Sequence, residues 1–197
     1  AAEIALQKRS VLLIDCHSAN PSISSYLVLH GLREKIIETE FGFSATEIAS
    51  TERLLELTEL ASEFEVVVID LGELQASERT TVGGRLSDVL ATWALKSSQR
   101  LHIVSGMNSR RSADFLRSMH TLSKVAEVPY IDRVVKLGEI TNKRETLEFK
   151  KSSEEESGFP TFIYPYDRRA VQAIRRDQRP LSQTATKSLL RAEIQNH

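Results

Sequence analysis

Two acidic residues close two runs of the same design. In Val11-Leu12-Leu13-Ile14-Asp15 an apolar stretch too short for a globular helix ends in an acid, then opens into Cys16-His17-Ser18-Ala19-Asn20-Pro21-Ser22; Phe64-Glu65-Val66-Val67-Val68-Ile69-Asp70-Leu71-Gly72 repeats the device. Such runs read as buried parallel strands opening into ligand-facing loops. An acid at the carboxyl end of such a strand stands where α/β sheets place their chemistry. If the two strands lie near each other, Asp15 and Asp70 meet in one crevice and together favour a site. Taken singly, each reads equally well as the cap of a helix or turn.

The elements that position these acids follow from the rest of the chain. Its 197 residues, 41% hydrophobic and 27% charged, suffice for one substantial core, and one domain is the expectation. A formal net charge of -1 gives no global pull toward nucleic acid, so such binding would need a local patch. The single cysteine, Cys16, excludes an internal disulfide framework and fits a reducing compartment. No apolar run approaches the roughly 20 residues that span a bilayer, so no transmembrane segment and a cytoplasmic location are expected.

Residues 1–8 are good helix sequence without a cap, so the chain is expected to begin inside a helix, with a segment upstream. Ile23 to Leu32 carries apolar residues at helical spacing, with Ser22 or a neighbouring serine as N-cap and Gly31 near the end. Lys35 to Phe43 is ambiguous and admits a short strand. Thr46 to Ala61 reads as an amphipathic helix on Ile48, Leu54, Leu55, Leu57 and Leu60. After the Asp70 strand, the polar stretch from Gln75 to Gly84 reads as a loop and Arg85 to Lys96 as a helix. Leu101 to Ser105 is a strand, Ser109 to Ala126 a helix, and Ile131 to Leu137 a strand. Thr141 to Ser157 is read as an exposed helix running into a solvated loop at Glu154-Glu155-Glu156. Thr161 to Tyr164 is the last strand; helices over Arg168 to Arg176 and Thr184 to Ile194 follow. This alternation predicts an α/β fold: a doubly wound, mostly parallel sheet with helices on both faces.

Three motifs, in the same order and at approximately the same spacing, resemble the ParA/MinD family of deviant P-loop ATPases. Val11 to Asp15 with Asn20-Pro21-Ser22 and a following helix looks like the family's first switch region. Val66-Val67-Val68-Ile69-Asp70 resembles its Walker B strand, and Tyr164-Pro165-Tyr166-Asp167 with the next helix resembles the loop beside the adenine. The resemblance covers nearly the whole chain and implies a single ATPase domain over 1–197 on a P-loop NTPase-like fold. It implies ATP and magnesium as cofactors. Asp15 would help order water and magnesium near the phosphates, and Asp70 would hold magnesium through water. Oxygen-only carboxylates suit that hard cation. Pro165 and Asp167 would lie on the adenine side.

The chain departs from the family pattern in three places. The glycine-rich loop that cradles phosphate is absent, and the helix at Ala1 looks like the one that loop would open, so an upstream strand and P-loop are expected to precede it, the alternative being a family member that has lost the loop. His17 stands where most relatives place the switch aspartate that positions the attacking water; histidine can act as a base near neutral pH but supplies no permanent negative charge. Lys136 stands where the family usually shows an adenine-reading asparagine, and a lysine cannot accept a hydrogen bond. Asp15 and His17 are therefore the catalytic candidates, Lys136, Pro165 and Asp167 the nucleotide-side candidates, and Asp15 and Asp70 the metal candidates.

The implied device is an ATP-binding dimeric switch for positioning or partitioning cargo, with weak hydrolysis, a second copy as partner, and a protein partner or cargo adaptor. The cluster Arg168, Arg169, Arg175 and Arg176 fits non-specific DNA contact or a solvated helix face. Two other classes stay open: a non-catalytic scaffold that keeps the fold, and a receiver-like phosphorelay domain with Asp70 as acceptor and Ser105 and Lys136 as helpers.

Overall fold

The computed structural model describes residues 1–17, 22–72, 86–106, 120, 130–136 and 142–197. Two sheets carry the described strands. The first has the order β2-β3-β1-β4, with β1 Val11–Asp15, β2 Ile37–Glu38, β3 Ser44–Glu47 and β4 Val66–Asp70. β1 pairs in parallel with β3 and β4, and only the two-residue β2 runs antiparallel. The second sheet, β5-β6-β7, is parallel throughout and comprises Arg100–Gly106, Tyr130–Lys136 and Thr161–Tyr164. Among the described residues β4 pairs on one edge alone, and its valines are half-buried where β1 is almost wholly buried.

Alternation along the strands divides the first core between two faces. Leu12, Ile14, Val67 and Ile69 pack with Leu54 and Leu57 of α3 (Arg53–Ala61) and Leu90 of α4 (Leu86–Ser97). Val11, Leu13, Val66, Val68 and Ala45 pack on the opposite face with α1 (Ala2–Ala5) and α2 (Ile23–Leu27). Helices therefore cover both faces of a largely parallel sheet, the α/β architecture expected from the sequence.

Two differences from the sequence expectation have clear physical causes. Thr46 and Glu47 lie in β3, ahead of α3, because a strand buried on both faces can hold polar residues when their groups are satisfied. The Thr46 hydroxyl donates to the Leu32 carbonyl at 2.9 Å, and the Glu47 carboxylate is likewise engaged. The helix expected to reach Leu32 ends at Leu27, where Val28 turns left-handed (φ 52°). The following segment then docks Leu32 in the core, its carbonyl also accepting the Glu47 N–H at 2.9 Å.

The charged stretch before β7 is one unbroken helix, α5 (Lys143–Ser157). Asn142 caps it through the Glu145 N–H at 2.9 Å, and Gly158 ends it at φ +71°. Glu154 to Glu156 sit inside the helix because its buried face is made of serines. Ser153 meets the Thr161 hydroxyl at 2.9 Å and accepts from the buried Arg133 at 2.8 Å. Three further helices close the chain: α6 Arg168–Asp177, α7 Leu181–Thr184 and α8 Leu189–Asn196. The helix expected over Ser109 to Ala126 and the loop expected over Gln75 to Gly84 lie outside the described residues, apart from His120. No helix among the described residues is long and apolar enough to cross a membrane.

Candidate functional site

Register decides which acids share an edge. On β1 and β4, Asp15 is the direct partner of Asp70, and on β1 and β3 it is the partner of Glu47. Paired residues of parallel strands point to the same face, so Glu47, Asp15 and Asp70 form a row across three strand ends, on the face that carries α1 and α2. Glu47 has no counterpart in the sequence reading, because it sits in the stretch read as helix. The visible signal was weak: an acid four residues after Phe43, closing a short run of small residues.

The three carboxylates have different surroundings. Asp15 is 1% exposed, and both its oxygens accept backbone N–H groups: Oδ1 from His17 at 2.9 Å, Oδ2 from Ser22 at 2.8 Å and Ile23 at 3.2 Å. Asp15 thus ties both ends of its loop and the first turn of α2 to the strand end. Glu47 is also buried; Oε1 accepts the Ser24 N–H at 3.0 Å and Oε2 lies 3.6 Å from the Arg33 guanidinium. Asp70 is exposed, with Oδ1 accepting the Gly72 N–H at 2.8 Å. Its Oδ2 has no partner among the described residues.

Cys16 follows Asp15 and packs in the core on the other face of the sheet, its N–H donating to the Asp70 carbonyl at 2.8 Å. Burial first, then the charges of Asp15 and Asp70, push its thiol up to about 12, so it is an inert apolar filler at neutral pH. His17 packs on Gly72. That glycine is left-handed (φ +65°), and a Cβ there would overlap the imidazole, lying 2.7 Å from Cδ2 and 2.8 Å from Nδ1. Only glycine allows that approach.

The remaining sequence candidates lie elsewhere. Pro165 and Asp167 follow β7, and Asp167 caps α6, accepting the Ala170 N–H at 2.9 Å. Lys136 ends β6 opposite Tyr164. Ser105 belongs to β5 in the second sheet, and its hydroxyl accepts from Arg133 Nε at 3.2 Å. Arg168, Arg169, Arg175 and Arg176 are exposed on α6; Arg176 pairs with its neighbour Asp177 at 2.6 and 3.0 Å.

No family model and no curated protein matches the sequence. Solved structures do match in fold. A MinD cell division protein of Aquifex aeolicus superposes with a TM-score of 0.66 at 13% identity, over 98% of this chain and 84% of that one. A plasmid partition protein of Borrelia burgdorferi gives 0.52 at 15% identity, covering 82% and 80%. A nucleotide-binding protein of Archaeoglobus fulgidus, in complex with ADP, gives 0.54 at 13% identity, covering 90% and 78%. The chain therefore has a ParA/MinD-like, P-loop NTPase-like fold.

Proposed function

We propose that this chain is a nucleotide-dependent switch in which Asp70 anchors magnesium at the carboxyl edge of the first sheet and Asp15 holds the adjoining loop in register with it. The observation that carries this reading is the pairing of Asp15 with Asp70 on adjacent parallel strands of a MinD-like fold. The donor chemistry fits a hard cation. Asp70 is an exposed carboxylate whose Oδ2 is open among the described residues, and magnesium prefers one or two carboxylates plus water and phosphate oxygens. Magnesium bound there would neutralise phosphate charge. Asp15, with both oxygens occupied by amides, acts through the loop that carries His17.

In this reading ATP is the nucleotide, and Lys136, Pro165 and Asp167 flank the base. Among the described residues β4 pairs on one edge alone, which leaves room beside Asp70 for a further strand. Two copies close over nucleotide, and the closed form recruits a protein partner or cargo adaptor, while the exposed arginines of α6 offer a surface for DNA backbone. Such a switch works by differential affinity of nucleotide for its two states.

Calorimetric titration of the full natural chain with ATP and magnesium tests the proposal. Magnesium-dependent binding that disappears in Asp70→Ala is the expected result; equal behaviour of the variant and the wild type, or no binding, defeats it.

One observation favours a second reading, a scaffold that binds partners without turnover. The His17 imidazole is committed to packing on Gly72, and Asp15 is buried with both oxygens already accepting backbone N–H groups. Partner binding of equal strength with and without nucleotide would select the scaffold.

A further inference from the structure

The second sheet holds a polar cluster that the nucleotide reading does not use. Strand register puts His102 of β5 directly beside Asp132 of β6. The His102 Nδ1 lies 2.7 Å from Asp132 Oδ1, and the Nε2 of His197, which caps the end of α8, lies 3.2 Å from Oδ2. All three ligand atoms fall within 4.8 Å of one another. Asp132 is completely buried, yet the His102 side chain is 43% exposed, so the cluster has an opening to solvent.

The groups behind these three residues are placed as supports. His197 is held by its other nitrogen, Nδ1 lying 2.8 Å from the Tyr164 hydroxyl, while its ring stacks on Phe162 with centroids 3.7 Å apart. Arg100 donates to Asp132 Oδ2 from Nε at 3.2 Å and Nη2 at 3.0 Å, and its guanidinium lies over the Tyr130 ring at 4.6 Å. A ligating imidazole fixed through its second nitrogen and a ligating carboxylate held by a hydrogen bond are the outer arrangements that orient metal ligands.

We propose that His102 Nδ1, Asp132 Oδ1 and His197 Nε2 form a binding site for a divalent transition metal, zinc by preference. Two imidazoles and one carboxylate are the donor set of borderline cations, whereas magnesium and calcium require oxygen. Metal–ligand bonds of about 2.0–2.1 Å place ligand atoms roughly 3 Å apart, so the 2.7 Å contact between His102 and Asp132 needs to open by tenths of an ångström, while the widest separation in the set, up to 4.8 Å, has to close around the ion. The bound ion replaces the imidazole-to-carboxylate hydrogen bonds, and solvent reaching past His102 completes its coordination. The Arg100 cation beside the carboxylate weakens the site relative to a closed four-ligand centre.

Zinc titration of the full chain, followed by calorimetry with magnesium in excess, tests the assignment, and cobalt serves as the visible-absorption probe of ligand geometry. The expected result is one zinc per chain, undisturbed by magnesium, with the cobalt spectrum and the binding lost in both His102→Ala and His197→Ala. Tyr164→Phe, which removes only the supporting hydroxyl, should weaken binding about tenfold while the protein stays folded. Absence of a bound zinc in the wild type, displacement by magnesium, or zinc binding unaltered in the folded histidine variants would overturn the site.

Discussion

Asp15 and Asp132 are both buried carboxylates on parallel strands, and they are satisfied in opposite ways. Asp15 receives three N–H groups of the backbone, fixed in place by the chain itself. Asp132 receives side chains: Arg100, His102 and His197. Burial works to raise the Asp132 carboxyl, but the hydrogen bond and charge of His102, with the bonds from Arg100 and His197, outweigh it and hold its pKa below the ordinary range. A carboxylate held by amides can only shape a loop. One held by imidazoles can exchange its partners.

The largest expected effect separates the two. Asp15→Ala strands three N–H groups, that of Ile23 fully buried, and should cost about 3 kcal/mol in urea denaturation. Asp132→Ala should cost less, about 1–2 kcal/mol, because two of its three partners, Arg100 and His102, are each about two-fifths exposed and can turn to water, which leaves the buried His197 alone without its acceptor. A larger loss for Asp132→Ala would reverse the assignment of fixed and exchangeable partners.

The same contrast explains what the sequence disclosed. Strands β1, β4 and β7 were legible because they are short apolar runs ended by acids or proline, and register then brought Asp15 beside Asp70. β3 was hidden because Thr46 and Glu47 are polar residues whose burial is compensated by partners no periodicity reveals. α5 read as a solvated loop at its end because its buried face is serine rather than leucine. The His102–Asp132–His197 cluster was invisible because its members come from distant segments, His197 lying 65 residues beyond Asp132. The one available hint was parity: Arg100 and His102 alternate with apolar residues in β5, and Asp132 falls on the matching face of β6.

A second expected effect sharpens the rigid side of the comparison. Gly72→Ala forces a methyl group into the His17 ring at a left-handed position, and a loss of about 2 kcal/mol should follow. Adding His17→Ala should recover part of it, and the double-mutant cycle reads that coupling directly. Full additivity would mean that the ring and the glycine are not in contact.

Cys16 reports on the same edge through pH. Its thiol titrates near 12 in the folded chain, above the ordinary 9.0, so the folded state holds the proton more tightly than the unfolded one. That contribution to stability is complete below about pH 9 and drains away as pH rises toward 12. Iodoacetamide should alkylate Cys16 slowly in the native chain and rapidly in urea. Asp70→Asn, which removes one of the charges raising the thiol, should quicken native alkylation. An unchanged rate would place Asp70 out of electrostatic reach of Cys16.

The smallest effect tests whether the two regions are mechanically joined. Glu3 of α1, packed on the first sheet, accepts from Arg191 of α8 at 2.6 and 3.2 Å and from Gln195 at 2.9 Å. α8 in turn ends at His197, which stacks on Phe162 of the second sheet. The pair is only 15% exposed on either side, and its two-pronged geometry is the favourable one, so Arg191→Ala should cost about 1 kcal/mol in denaturation. That loss is modest, but it falls on the helix that carries one member of the second cluster. Zinc affinity should therefore drop several-fold while Asp70-dependent nucleotide binding stays as it was. A fall in both together would mean that α8 braces the whole molecule, and the contrast between a fixed acidic edge and an exchangeable histidine cluster would then describe one cooperative unit.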